Sequence, residues 1–352
     1  MSSRNVAVIG GGIAGISAAI ALADMGSLVY IIERDTQTGG HAAGFACKAT
    51  EKCNKCSACV ADELILKVFQ YPEIRILTGS EVMSFSGKPD NFRLQISRAA
   101  KEESLFEEVE LKVGAMVVAT GFMPFDAEAK KEYGYKKYKN VITALDLERS
   151  LRLTGKIAKP TDGSTPKKIA FFQCVGSRDE SIGKGYCSKV CCPYALRLSK
   201  LIKSETPESD ITIFYMDVQP AGKGFYELRK SCEGLGIRFV RNLPSKVYGY
   251  VNSDFLQVKS INADTGEVIL DEFDLIVLSV GLSPQNDAKF LADTLGIDQD
   301  GHGFYRAKGE LLNCSSNPGI FLAGACQGPK SIEESMAHGK AAAAEVGKML
   351  RK

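Results

Sequence analysis

The stretch RNVAVIGGGIAGISAAIALADMGSLVYIIER, residues 4–34, restricts the fold more than any other part of the chain. An apolar strand runs into Gly10, Gly12 and Gly15 at G-x-G-x-x-G spacing, an Ala-rich helix follows, and a second apolar strand ends in Glu33. Gly10 permits the tight turn, Gly12 lets the backbone approach a pyrophosphate, and Gly15 lets the helix pack close. The helix N-terminus, from Ile13 and Ala14, stabilises phosphate charge. Glu33, 23 residues beyond Gly10, is spaced to accept hydrogen bonds from an adenosine ribose. A parallel α/β layer with a bound dinucleotide is expected. The alternative is a glycine-rich turn in an ordinary α/β domain, and glycine spacing does not choose between NAD and FAD.

A chain of 352 residues with 45% hydrophobic content is long enough for about two domains. With 44 Lys and Arg against 42 Asp and Glu, it lacks the electrostatic footprint of a nucleic-acid binder. The opening MSSRNVAVIGGG enters a strand at once, and the most apolar stretch, residues 6–25, is broken by glycines. No spanning segment is expected, and a cytoplasmic location follows as the expectation. Eleven cysteines, an odd count concentrated in two short segments, point to metal or redox work rather than a disulfide scaffold.

Three further segments extend the first unit. TQTGGH at 36–41 lengthens the loop after the second strand, and LKVGAMVVATGFMPF at 111–125 is an apolar strand ending in Ala119, Thr120 and Gly121. NPGIFLAGACQGPKSIEESMAHGKAAAAEV reads as a strand, a loop at Gly324 to Pro329, and a closing helix from about Ser331. Together they resemble the two-dinucleotide-domain flavoproteins that include thioredoxin reductase. That likeness implies an FAD-binding Rossmann-type domain of 1–125 and 286–352, with a second Rossmann-like domain inserted at 126–285. It also implies FAD contacts from Gly10, Gly12, Ile13, Ala14, Gly15, Glu33, Arg34, Gly39, Gly40, His41, Val82, Ala119, Thr120, Gly121, Gly324, Ala325, Ser331 and Ile332. One departure is visible: the family usually has Gly-Asp in the last strand, and here Ala325 follows Gly324.

The inserted region opens with KKIAFFQCVGSRDESIGKGYCSKVCCPYALRLSK at 167–200. Residues 169–173 read as a buried strand, 193–203 as a helix with Pro193 in its first turn, and 210–218 as the next strand, ending near Asp217. The loop from 174 to 192 therefore lies where a nicotinamide nucleotide would bind. It has no G-x-G-x-x-G; only Gly176 follows the strand, so nicotinamide binding is disfavoured. Instead C-x12-C-x3-C-C supplies Cys174, Cys187, Cys191 and Cys192. Four thiolates suit a [4Fe-4S] cluster, zinc is the chemical competitor, and buried structural cysteines are the alternative. Cys191 and Cys192 can face one cluster if the helix begins just after them, as Pro193 suggests.

FFQCVGSRDE with GYCSKVCCPYALRLSK closely resembles the flavin core of the A-type subunits of heterodisulfide reductase. The likeness continues in CNKCSACV at 53–60, in YPEIRILTGSEVMSFSGKPDNFRL, in IFYMDVQPAGKGFYE and in FLAGACQGPKSI, and so spans nearly the whole chain. It implies FAD, a [4Fe-4S] cluster at the 174–192 cysteines, and assembly with partner electron-transfer subunits. Longer members insert ferredoxin modules before the ATG strand, where this chain has only AAKEESLFEEVE. That gap suggests the short form found in the heterodisulfide-reductase-like complex of sulfur oxidisers, related to the corresponding component of the quinone-interacting oxidoreductase. Cys53, Cys56 and Cys59, with Cys47 six residues upstream of Cys53, form a candidate second cluster set. Arg197 stands where methanogen-type sequences often carry Lys, a candidate flavin-tuning residue. A homodimer in isolation is expected from the related flavoproteins. Two rivals remain: a stand-alone NAD(P)H-dependent disulfide reductase using Cys56 and Cys59, and a flavin-binding structural subunit with a zinc site.

Overall fold

The computed structural model describes residues 4–99, 106–219, 222–250, 253–261, 263 and 265–351. Residues 100–105, in the gap where longer relatives are expected to carry inserted modules, lie outside the described residues. In chain order the elements begin β1 (Asn5–Ile9), α1 (Ile13–Asp24), β2 (Leu28–Ile32), α2 (Ala58–Lys67) and β3 (Ile74–Leu77). The meander β4 (Ser80–Lys88), β5 (Asn91–Ala99) and β6 (Phe106–Val113) leads into β7 (Ala115–Val118). After β8 (Met123–Pro124) come β9 (Val141–Thr143), α3 (Ala144–Thr154), β10 (Lys168–Val175), α4 (Cys191–Glu205), β11 (Asp210–Tyr215), α5 (Phe225–Gly234) and β12 (Arg238–Arg241). A second meander, β13 (Lys246–Gly249), β14 (Leu256–Ile261) and β15 (Val268–Phe273), precedes β16 (Leu275–Val280). β17 (Leu282–Ser283), α6 (Ala288–Leu295), β18 (Ile320–Leu322) and α7 (Ile332–Leu350) complete the chain.

The contacts divide the chain into two compact units: residues 1–43, 57–123 and 283–352, and residues 44–56 and 124–282. In the first, β18-β7-β1-β2-β3 form a wholly parallel sheet. Val6, Ala7 and Val8 of β1 are fully buried, as expected for strands covered on both faces. α1 and α7 pack on one face so closely that a Cβ on Gly339 would fall 2.2 Å from the Ala14 carbonyl oxygen. In the second unit, β12-β11-β10-β16-β9 form another parallel sheet. β1 and β10 are each flanked by the next βα strand on one side and a later strand on the other. The strand order therefore reverses beside each of them, which is where open α/β sheets bind ligands.

Segment Gly44–Cys56, inside the span the sequence suggests for the flavin domain, packs with the second unit. Its anchor is a buried ion pair: Lys48 Nζ lies 2.6 Å from Glu148 Oε1 on α3, with the side chains 4% and 5% exposed. The Ala46 N–H donates to Glu148 Oε2 at 3.0 Å, and Lys48 Nζ donates to the Ala46 carbonyl at 2.9 Å. Both charges thus have partners, which a buried pair requires.

Candidate cofactor sites of the two units

In the first unit the β1–α1 turn has the predicted form. Gly10 takes φ +106°, and a Cβ there would fall 2.4 Å from the Ala119 carbonyl oxygen, so both conformation and space demand glycine. A Cβ on Gly15 would sit 2.0 Å from the Gly10 carbonyl oxygen. Gly12 caps α1 with no side-chain hydrogen bond, and nothing lies within 4 Å of where its Cβ would be. The chain thus leaves room beside Gly12 at the start of α1, where unpaired first-turn N–H groups suit a pyrophosphate. Glu33 is buried; its Oε2 accepts from the Gly11 N–H at 2.6 Å and its Oε1 from the Asp35 N–H at 2.9 Å. Those bonds fix the carboxylate at the strand end.

The other predicted positions lie on the same unit. Gly39 bridges to Gly12, and its N–H donates to the Gly11 carbonyl at 2.7 Å. Gly40 and His41 open a short 3-10 turn, with His41 Nε2 3.0 Å from the Phe122 carbonyl oxygen and its ring stacked on Phe122. Ala119, Thr120 and Gly121 follow β7, and Val82 is buried in β4. Arg34 pairs with Asp287 at 2.7 Å. Gly324 and Ala325 lie in the turn after β18; Ser331 caps α7 in a reciprocal capping box with Glu334, and Ile332 is its first residue.

Two residues here carry no sequence signal. Gln285 donates from Nε2 to the Thr120 and Phe122 carbonyls at 2.9 and 3.1 Å, fixing the ATG turn. His338 Nδ1 accepts from the Gly324 N–H at 2.9 Å. Burial chiefly, then the Lys330 charge, lowers its pKa to about 4 against an upward pull from a backbone bond to Leu312.

In the second unit, β10 pairs smoothly with β16 up to Phe172 and then slips before Val175. Cys174 falls in this bulge with φ +57°. Bulges re-aim side chains and are enriched beside functional sites. The following loop is braced by its own bonds: Ser177 Oγ donates to the Tyr186 carbonyl at 3.1 Å, and the Ser188 and Leu282 N–H groups donate to Ser177 Oγ and Ser188 Oγ, each at 2.9 Å. The Lys189 N–H points at Cys187 Sγ, 3.3 Å away, with Lys189 at φ +63°. α4 opens at Cys191, two residues before the Pro193 signal suggested. Cys191 and Cys192 thus occupy the first helical turn, their side chains about 100° apart around the axis. Val190 is already helical, so the proline sits inside the turn rather than at its start.

Cys174, Cys191 and Cys192 are buried and Cys187 is exposed. Burial pushes the Cys174 thiol up to about 12, with Cys192 and Cys187 adding and Arg178 opposing. Burial raises Cys191 well above the usual thiol range, with the other three cysteines adding, and it raises Cys192 too. The four sulfurs are therefore close enough to oppose one another's ionisation. Among the described residues, no group of three or more His, Cys, Asp or Glu is already gathered as a metal-ion site. The helix start expected to let Cys191 and Cys192 face one cluster is not the one observed, since both lie within α4; what fits a thiolate-bound centre is the chemistry of the donor set, four cysteines whose mutual repulsion a bound cation relieves.

The features a nicotinamide nucleotide would use here are taken internally. A Cβ on Gly176 would fall 1.9 Å from the Phe125 ring, which covers the first loop residue after the bulge. Asp217, just beyond β11, is held by the Arg178 guanidinium. Cys47, Cys53 and Cys56 ride on the 44–56 segment, whereas Cys59 lies on α2 of the first unit. The Lys55 N–H lies 3.4 Å from Cys53 Sγ with Lys55 at φ +50°, repeating the turn at Cys187. Arg197 Nε donates to the Asn54 carbonyl at 2.8 Å, so this group on α4 holds the Cys53–Cys56 loop.

The pyridine nucleotide-disulphide oxidoreductase family matches residues 4–343. The chain belongs to this oxidoreductase family. Solved structures share its fold: thioredoxin reductase of T. acidophilum aligns with TM-score 0.65 at 19% identity over 98% of both chains. That of Lactococcus lactis gives 0.65 at 20% identity over 99% of both. The expected two-dinucleotide-domain flavoprotein fold is borne out. Among curated proteins, the chain is 35% identical to an A-type iron-sulfur subunit of the CoB–CoM heterodisulfide reductase of Methanopyrus kandleri, over 97% of this chain and 64% of that protein. It is 33% identical to the A-type subunit of the H2:CoB-CoM heterodisulfide, ferredoxin reductase of Methanothermobacter marburgensis, over 96% and 62%. The chain thus spans somewhat less than two thirds of these relatives. The M. kandleri alignment runs over 420 positions for a chain of 352 residues, so that relative carries inserted residues absent here. The resemblance to the A-type subunits of heterodisulfide reductase is borne out, and the family's flavin chemistry fits the glycine turn that caps α1. Among the described residues no helix is long and apolar enough to cross a membrane.

Proposed function

We propose that this chain is an FAD and [4Fe-4S] electron-transfer subunit of a heterodisulfide-reductase-like complex in sulfur metabolism. In this reading it is the short form, of sulfur-oxidiser type, works in the cytoplasm with other subunits of that complex, and pairs with itself in isolation. The observation that carries the reading is the cysteine set on the β10–α4 connection. Cys174, Cys187, Cys191 and Cys192 lie at the strand ends where the fold would hold a second redox partner, in a chain 35% identical to a protein named for its iron and sulfur.

The first unit would hold FAD at the β1–α1 turn, with Glu33 at the ribose end and Gly324 to Ile332 beside the remaining phosphate and ring. The four thiolates of the second unit would hold the cluster, whose one-electron chemistry complements the flavin's two. Arg178 and the Lys189 N–H stabilise sulfur charge, and Phe125 with the Arg178–Asp217 pair excludes a nucleotide. Cys47, Cys53, Cys56 and Cys59 would form a second thiolate set.

Anaerobic purification followed by flavin, iron and sulfide analysis tests this. About four irons per FAD support one cluster, and about eight support both sets. Zinc without iron would instead favour a structural thiolate site. The stand-alone disulfide reductase requires rapid flavin bleaching by NADPH; no bleaching is expected.

A further inference from the structure

Gln173, the residue before Cys174, is 2% exposed, and neither its Nε2 nor its Oε1 has a hydrogen-bond partner among the described residues. An amide buried with both ends unsatisfied forgoes the hydrogen bonds it made in water, so such a residue calls for a partner. Its direction follows from the strand. Ile169 and Phe171 of β10 pack into the hydrophobic cluster that contains Cys192, Ala195, Leu196 and Leu198 of α4, whereas Phe172 packs into the cluster on the other face. Alternation puts Gln173 on the α4 side. The register shifts between Phe172 and Val175, and within that interval it is Cys174 that takes the left-handed backbone, so Gln173 keeps the face of Phe171. The amide therefore projects between the end of β10 and the first turn of α4, where Cys191 and Cys192 begin the helix.

Among the described residues no group supplies its hydrogen bonds. The loop that follows spends its own polar groups on itself, through Ser177, Ser188 and Tyr186. Arg178 is engaged with Asp217 and with Cys174. A sulfide or thiolate sulfur accepts hydrogen bonds, and N–H donors to sulfur favour the more negative, reduced state of a cluster.

We propose that Gln173 is a positioning residue of the thiol site, its amide N–H donating to sulfur of the group the four cysteines hold and raising that group's reduction potential. The inference rests on the cluster reading above. The test is the exchange Gln173→Met, which keeps length and apolar bulk and removes the donor. Iron, sulfide and FAD content are expected to match the parent, while the equilibrium constant for one-electron reduction of the cluster falls about tenfold, or ~59 mV for a one-electron couple. A merely structural residue would change cluster content without moving the potential.

Pulsed EPR of the reduced parent protein, grown with glutamine labelled with 15N at its side-chain amide, gives a reading that needs no variant. A coupled side-chain nitrogen is expected, and it disappears in Q173M. A cluster of parental content and unchanged potential in Q173M overturns the inference alone. So does an absent 15N coupling, or cluster loss from Q173M with FAD retained. A parent protein with zinc or no metal at these cysteines overturns the cluster reading, and this inference with it.

Discussion

His338 stays neutral because its Nδ1 must accept the Gly324 N–H while burial and Lys330 oppose a proton on the ring. Its pKa is near 4 when folded against 6.5 when unfolded, so the unfolded chain binds more protons between those values. The contribution to stability is complete above pH 6.5 and is lost as pH falls towards 4. Because the ring is only about half buried, the expected loss is on the order of 1 kcal/mol. Chemical denaturation at pH 7, 5.5 and 4.5 should show it, and His338→Gln, which keeps an acceptor, should flatten that part of the profile. The glycines at 10, 12 and 15 and the acid at 33 are legible in the sequence because turn chemistry is local. His338 is not, because its burial is a tertiary event, and neither are Gln285 and Phe125, whose roles come from contacts between residues far apart in the chain.

The 44–56 segment depends on one buried ion pair. Lys48→Met leaves the Glu148 carboxylate buried without its cation, and removing one partner of such a pair costs about 3–5 kcal/mol. Burial, the largest influence on Glu148, already raises its pKa against the pull of Lys48. Urea unfolding should show the loss in K48M, and Lys48→Met with Glu148→Leu should recover most of it. Limited proteolysis within 44–56 should quicken in the single variant only. Strands β1, β2, β7, β10, β11 and β16 are legible as apolar runs. The path of 44–56 is not, since a polar, cysteine-bearing stretch has no periodicity and its attachment is decided by Glu148, about a hundred residues away. The start of α4 differs from the sequence expectation by two residues because proline marks a first turn without saying which of its positions it fills.

Two compact units, with the dinucleotide turn wholly on the first, imply that flavin stabilises one of them directly. Ligand binding adds RT ln(1 + [L]/Kd), about 2.7 kcal/mol at a hundredfold excess over Kd. Calorimetry of the metal-free protein with and without FAD is expected to show two transitions, of which only one moves upward. A single transition shifting as a whole would mean that the units unfold together. The fold class is legible because both sheets announce themselves by strand, turn and helix start. The chemistry of the second unit is legible only as a set of cysteines, since the covering of Gly176 and the capture of Asp217 are tertiary events.

The attachment of residues 44–56 also affects how the protein can be taken apart. The unit bearing Cys174, Cys187, Cys191 and Cys192 does not correspond to one continuous piece of coding sequence. Expressing residues 124–282 alone would leave Glu148 without Lys48 and Arg197 without the Asn54 carbonyl. A working excision therefore has to supply the short peptide as well, either spliced on through a linker or added as a second strand.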